Sequence, residues 1–471
     1  MNPEANQEEI IAGTPTYARD GEGTLVTLPY RHRSKTGVVT LLGTVNFRFN
    51  LDLPALPFRG DASVPLGLLT AMSAALPLRM EAPVSPVLIE GSARFQEIHQ
   101  TIFSGEQIVP FIASAAQTDQ DPPAPGVGCF LSNGIDSWHS ILRHREEITH
   151  YIFILGFDIW LKHHDYAARS LALARASAAK LGKPLIVVET NAFDFAHHFI
   201  PWPRGSFPMQ SAIVLLLSPI LGRVIQALDD HFAWFSDETE IPMLAESLGN
   251  ESSRIQFTCG RFTRQQKVHF LCRNAEWLSL LRVCWDMPDG KINCGRCEKC
   301  MRTMIGLSLE GAGHLCPLLP PLDPAVLACH TYTAKSAKFY EDMIVVAEHA
   351  PHANPEFLTA FRAMVHRNRL EILARELIPF REFLLTSASY LNNQKLLRDP
   401  LFSMVRRDEI WILKKLRRHA ATFRDDMQKL LRKKHKRLLR QALWRGRLRK
   451  FVSLFRHRSE PESRVKVKSP D

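Results

Sequence analysis

Residues 127–145 read VGCFLSNGIDSWHSILRHR, and three kinds of local structure follow one another within them. Val127–Leu131 is a short apolar run of strand length, Ser132–Ser137 is a turn of small and polar residues, and Ile135–Arg145 has helical spacing. A strand that ends in such a turn and re-enters a helix offers backbone N–H groups and the positive end of a helix dipole to an anion. The alternation continues downstream: Tyr151–Phe157 and Leu185–Glu189 read as strands, His164–Leu181 as a helix, Met209–Leu228 as a long apolar helix and Phe232–Phe235 as a fourth strand. Apolar strands alternating with helices indicate an α/β fold with a parallel sheet covered on both faces. Ligands in such sheets bind at the carboxyl ends of the strands, which brings Ser132–Ser137, Asp158 and Asn191 to one crevice.

Further along, Cys284, Cys294, Cys297 and Cys300 stand at C-x9-C-x2-C-x2-C spacing. A CxxC turn brings two sulfurs within reach of one Zn²⁺ at about 2.3 Å each, and four thiolates close a tetrahedron. Gly295 permits the tight turn. Such a site has no open position, so it is structural and not catalytic. The adjacent pairs His163-His164 and His197-His198 point to different sides of a helix and read as surface histidines. Cys259 shows no His or Asp partner in the sequence and reads as a buried thiol, as do Cys129, Cys272, Cys316 and Cys329.

The SNGIDS turn lacks the G-x4-G-K-[ST] of a Walker A loop. It resembles the Ser-Gly-Gly-x-Asp-Ser loop of the PP-loop ATP pyrophosphatases. With the four-cysteine cluster downstream, it is similar to 7-cyano-7-deazaguanine synthase of the queuosine pathway and to uncharacterised relatives of that enzyme that carry an extra N-terminal domain. The likeness covers about residues 127–310, and RFTRQQK at 261–267 is similar to the T-R-x-x-K segment of those relatives. The resemblance implies a Rossmann-like parallel sheet of the PP-loop ATPase type with a zinc knuckle. It also implies that Ser132, Asn133, Gly134, Ile135, Asp136 and Ser137 surround the ATP phosphates, and that Asp136 places Mg²⁺ and pyrophosphate. Arg264 and Lys267 would offset the charge of the leaving group, while Asp158 and Asn191 would read nucleotide or substrate. Asn133 stands where the family has Gly; it accepts positive φ but adds bulk. Asp136 is expected to be exposed at the strand mouth, so that its loss would spare the fold.

The chemistry so implied is that of an ATP-dependent C–N ligase. A small-molecule or peptide carboxylate is adenylated, pyrophosphate departs, and ammonia or an amine displaces AMP. The cofactors are ATP, Mg²⁺ and structural Zn²⁺. Two other classes compete with it. A PP-loop tRNA-modifying enzyme would use the basic tail on RNA, and a non-catalytic nucleotide-binding protein would be favoured by Asn133, although the intact set of Ser132, Asp136 and Ser137 opposes it.

Composition bounds the rest, since 45% hydrophobic and 23% charged residues describe a folded chain of two or three domains. Mixed strands and helices occupy 1–117 (Thr24–Leu28, Val38–Leu42 and Val45–Leu51 as strands; Leu66–Leu76 and Ser92–Ile102 as helices), and a Pro-rich linker covers 118–126. The PP-loop-like region is 127–316, a helical region with a basic tail is 317–458, and 459–471 reads as disordered. Of the 59 basic residues, 23 lie after residue 404 beside 7 acidic ones, which leaves the remainder slightly acidic at 36 against 41. Within the tail, Leu413, Leu416, Ala420, Phe423, Met427 and Leu430 recur at helical steps. The polar, acidic start MNPEANQEEI lacks a secretory pattern, and the longest apolar stretch, Ala212–Gly222, contains Pro219 and is too short to span a bilayer. A cytoplasmic protein with reduced cysteines, which could assemble as a homo-oligomer, is the expectation.

Overall fold

Eleven strands join in one mostly parallel sheet in a computed structural model of the chain. The structure describes residues 7–388 apart from 55, 57–58, 104–105, 118–122, 198–199, 236–240 and 351–352, and apart from the side chains of 203 and 373–388. The first half supplies β1 (Glu9–Ala12), β2 (Thr16–Asp20), β3 (Gly23–Arg33), β4 (Val39–Phe49), α1 (Val64–Ala74), β5 (Leu78–Met80), α2 (Pro86–Ile102) and β6 (Phe111–Ile112). The alternating part follows as β7 (Gly126–Phe130), α3 (Ile135–Arg143), β8 (His150–Leu155), α4 (His164–Leu181), β9 (Leu185–Thr190), α5 (Ala192–Ala196), α6 (Trp202–Leu216), β10 (Leu221–Ala227), α7 (Pro242–Glu246), β11 (Arg254–Thr258) and α8 (Arg264–Cys272). Helices α9 (Glu298–Leu309), α10 (Pro324–Cys329), α11 (Ala334–Ala347) and α12 (Pro355–Ala388) complete the described chain. None of the described helices is long and apolar enough to cross a membrane.

Strand order decides where a ligand can sit. The sheet runs β11-β10-β7-β8-β9-β4-β3-β1-β5-β6, with β2 on β3. From β7 the chain steps through β8 to β9 on one side, then returns past β7 to lay down β10 and β11 on the other, all five strands parallel. That reversal opens a crevice at the carboxyl ends of β7 and β10. Right-handed crossovers put α3 and α4 on one face and α6 on the other. Accordingly α3 packs on α8 and β10, α4 on β8 and β9, and α6 on α1, α7 and β11.

Two expectations from the sequence give way. The run expected to be helical over Met209–Leu228 is α6 and then β10, because Pro219 stands two residues past the C-cap Leu217 and a continuous apolar run has no period of its own. Phe232–Phe235 is no strand: Phe232–Trp234 is a single 3₁₀ turn, with the His231 imidazole accepting from the Ala233 N–H. The fourth and fifth parallel strands are therefore β10 and β11, the latter unassigned from sequence.

Strands from before and after 118–126 share one sheet: β4 pairs antiparallel with β9, in the register Phe47 to Thr190 and Phe49 to Val188, with Phe47 and Phe49 fully buried. Residues 1–365 group as one unit, which takes in the regions 1–117 and 127–316 and the helices α10 and α11, and 366–471 group as a second. The apolar steps at 413–430 and the segment 459–471 lie outside the described residues.

Candidate functional site at the mouth of the parallel sheet

The turn after β7 is shaped by its own serines. Ser137 Oγ donates to the Phe130 carbonyl at 3.0 Å and accepts from the Ser132 N–H at 3.1 Å, while Ser132 Oγ accepts from the Gly134 N–H at 3.3 Å. Gly134 is the extended N-cap of α3, so Ile135, Asp136 and Ser137 form the first turn, whose N–H groups have no intrahelical acceptor. Asn133 adopts a φ of 60° and is fully buried. Its amide group donates to Ser177 Oγ at 2.6 Å and to the Leu280 carbonyl at 3.0 Å. The Asn133 side chain is thus engaged by α4 and by the segment after α8, and not by the mouth of the turn.

At the head of α3, Asp136 stands between two cations. Arg264 Nη1 donates to one carboxylate oxygen and Lys267 Nζ donates to the other at 2.9 Å. Both come from α8, whose Thr263 and Gln266 form a capping box that fixes the first turn. Contrary to the expectation of an exposed carboxylate, the Asp136 side chain is only 15% exposed, and those of Arg264 and Lys267 are 4% and 0% exposed. Burial alone would raise the Asp136 pKa, but the charges of Arg264 and Lys267 prevail and hold it far below the ordinary carboxylate range. Lys267 also donates to the Leu228 carbonyl at the end of β10, which ties the clamp to the switch point.

The other expected contacts divide. Asp158 accepts from Arg282 Nη2 at 2.7 Å, and Arg282 also reaches the Ser132 carbonyl through Nε at 3.3 Å, so Asp158 does border the turn. Asn191 does something else. Its Oδ1 accepts from the Asn46 N–H at 2.7 Å and its Nδ2 donates to the Thr44 carbonyl at 2.9 Å, which staples the end of β9 to β4. Its side chain thus connects the two strands.

The four cysteines converge as the spacing requires. Their sulfurs all lie within 4.8 Å of one another, with Cys284 to Cys297 and Cys294 to Cys300 at 3.9 Å. Tetrahedral zinc with bonds of about 2.3 Å needs sulfurs roughly 3.8 Å apart, so the set fits Zn²⁺. Backbone N–H groups of Asp286, Arg296 and Cys297 point at Cys284 and Cys294 sulfurs over 3.2–3.4 Å, as outer partners of thiolate ligands do. Gly295 holds a φ of 72°, and a Cβ there would stand 2.2 Å from Pro320. Cys297 is the N-cap of α9, which carries Thr303 to within 3.5 Å of Arg264 Nη2 and buries Arg302 over the Phe339 ring at 3.8 Å.

Sequence reading missed several members of this neighbourhood. Arg282, 3% exposed, bridges the zinc loop to Asp158 and Ser132. Lys338 on α11 pairs with Asp230 after β10 at 2.6 Å, although burial and Asp229 push the Asp230 pKa up to about 6. His139 on α3 meets Cys259 at 2.9 Å. None of these lies at a motif spacing; the one signal in sequence was an ionisable residue at a strand end. No family of related sequences, curated protein or solved structure matches the chain.

Proposed function

We propose that this chain is an ATP-using enzyme that forms AMP and pyrophosphate, activating a carboxylate as its adenylate for coupling to ammonia or an amine. The observation that carries the reading is the Asp136 clamp at the head of α3. Two buried cations there are balanced by one carboxylate, at the switch point of a parallel sheet, beside a helix N-terminus that favours phosphate. In this reading Arg264 and Lys267 exchange part of their contact with Asp136 for phosphate oxygens, and the freed carboxylate helps to hold Mg²⁺, which supplies charge neutralisation. Asp158, kept ionised by Arg282, faces the nucleotide or the acceptor.

The cysteine cluster serves as structural Zn²⁺ that fixes α9 against α8. Its four sulfurs leave no position for a reacting ligand. Calorimetric titration of MgATP tests the reading: saturable binding is expected, weakened about tenfold or more by Lys267→Met. Wild-type protein that takes up no MgATP would contradict it. Pyrophosphate release with a small-molecule extract, and not with tRNA, is the outcome that separates carboxylate activation from base modification.

A further inference from the structure

Cys259 directly follows β11, on the same edge of the sheet as the Ser132–Ser137 turn. The Thr258 carbonyl accepts from the Leu228 N–H at 3.1 Å, and the Leu228 carbonyl accepts from Lys267, so one residue separates this strand end from the clamp. Cys259 Sγ lies 2.9 Å from His139 Nδ1 and 3.2 Å from Ser140 Oγ. His139 sits one helical turn beyond Asp136 on α3, and Phe262 and Phe270 hold its ring edge-on at 4.9 and 4.8 Å. Cys259 itself has a φ of 70°, a left-handed conformation that is unfavourable for a residue with a Cβ and is kept only where the surroundings impose it.

Charge sets the state of this pair. Burial first, then Lys267 and Arg143, lower the His139 pKa to about 4. The imidazole is therefore neutral near pH 7. A neutral base touching a thiol, next to the cations that would hold a nucleotide, is an arrangement for nucleophilic catalysis.

We propose that Cys259 and His139 are a nucleophile and base that take the acyl group from the adenylate, a step that rests on the function proposed above. Cys259 Sγ attacks the acyl carbon; the C–S bond forms, the C–O bond to AMP breaks, AMP leaves with the electron pair, and the thiol proton passes to His139 Nδ1. The amine then attacks the thioester. The C–N bond forms, the C–S bond breaks, the sulfur recovers the proton from His139, and the surplus proton of the amine goes to solvent. Holding the acyl group as a thioester lets AMP leave before the amine arrives.

Full-length protein treated with iodoacetamide near neutral pH, with alkylation followed site by site by peptide mass spectrometry, tests this. Cys259 is expected to react at least about tenfold faster than Cys129 and Cys316, which are each 1% exposed. His139→Gln should slow it about tenfold, and saturating MgATP should protect it. Alkylation of Cys259 no faster than that of Cys129 and Cys316 overturns the proposal, as does a rate unchanged by His139→Gln in a variant that melts like wild type. If that variant fails to fold, the wild-type comparison decides alone. Bound MgATP that gives no protection overturns the acyl-acceptor role, whereas protein that binds no MgATP removes the proposed function and leaves the reactivity of the thiol standing.

Discussion

Asp136 carries the charge balance of the crevice, and its removal leaves two buried cations without their shared carboxylate. Breaking a buried pair by deleting one member costs about 3–5 kcal/mol. Asp136→Ala should therefore lower the denaturant midpoint as well as end AMP formation, while Asp136→Asn, which keeps an acceptor oxygen, should lower it less. Equal midpoints for wild type and Asp136→Ala would show that the clamp is not the buried ion cluster described here. His139 supplies a test by pH. Its pKa is depressed to about 4 in the fold, so the unfolded chain binds the extra proton between about pH 6.5 and 4. Stability should be complete above pH 6.5 and fall by up to about 3 kcal/mol as pH drops to 4. His139→Gln should remove that part of the decline in melting temperature, and an unaltered slope would count against a neutral buried imidazole.

At the scale of elements, the strand, turn and helix of 127–143, the helix α4 and the cysteine turn were legible because period, length and spacing each pointed one way. The stretch from α6 to β10 was not, since an unbroken apolar run fits helix and strand alike and only the break at Pro219 divides it. Asp136, Arg264 and Lys267 could be singled out by their pattern, but their mutual burial could not, because it depends on α8 crossing α3. The partners Arg282, Lys338 and His139 were hidden for the same reason: each meets its contact across a large sequence separation. The four-cysteine cluster gives this scale its own test. Cys297→Ser should reduce bound zinc from one ion per chain to none and lower the melting temperature by loosening the N-terminus of α9, and with it the Thr303 contact to Arg264. Freshly purified wild-type protein without zinc in elemental analysis would remove this claim.

For the whole molecule, the junction of β4 with β9 makes the N-terminal strands part of the sheet that carries the Ser132–Ser137 turn. Cutting them away would expose the edge of β9 and the partners of Phe47 and Phe49. A fragment of residues 123–388 should therefore aggregate, whereas residues 1–388 should fold; a soluble 123–388 fragment with a cooperative melt would mean that the two regions are independent. The excess of basic residues after 404 lies outside the described residues. Its removal should weaken any salt-dependent binding to RNA and leave ATP cleavage intact. The central claim is that the clamp of Asp136, Arg264 and Lys267 splits ATP between its α- and β-phosphates. ATP labelled on the α-phosphate, incubated with the full-length protein, Mg²⁺ and a small-molecule extract, should yield labelled AMP, and the Lys267→Met variant should yield none; label in ADP, or AMP formed as fast by the variant, would contradict the account.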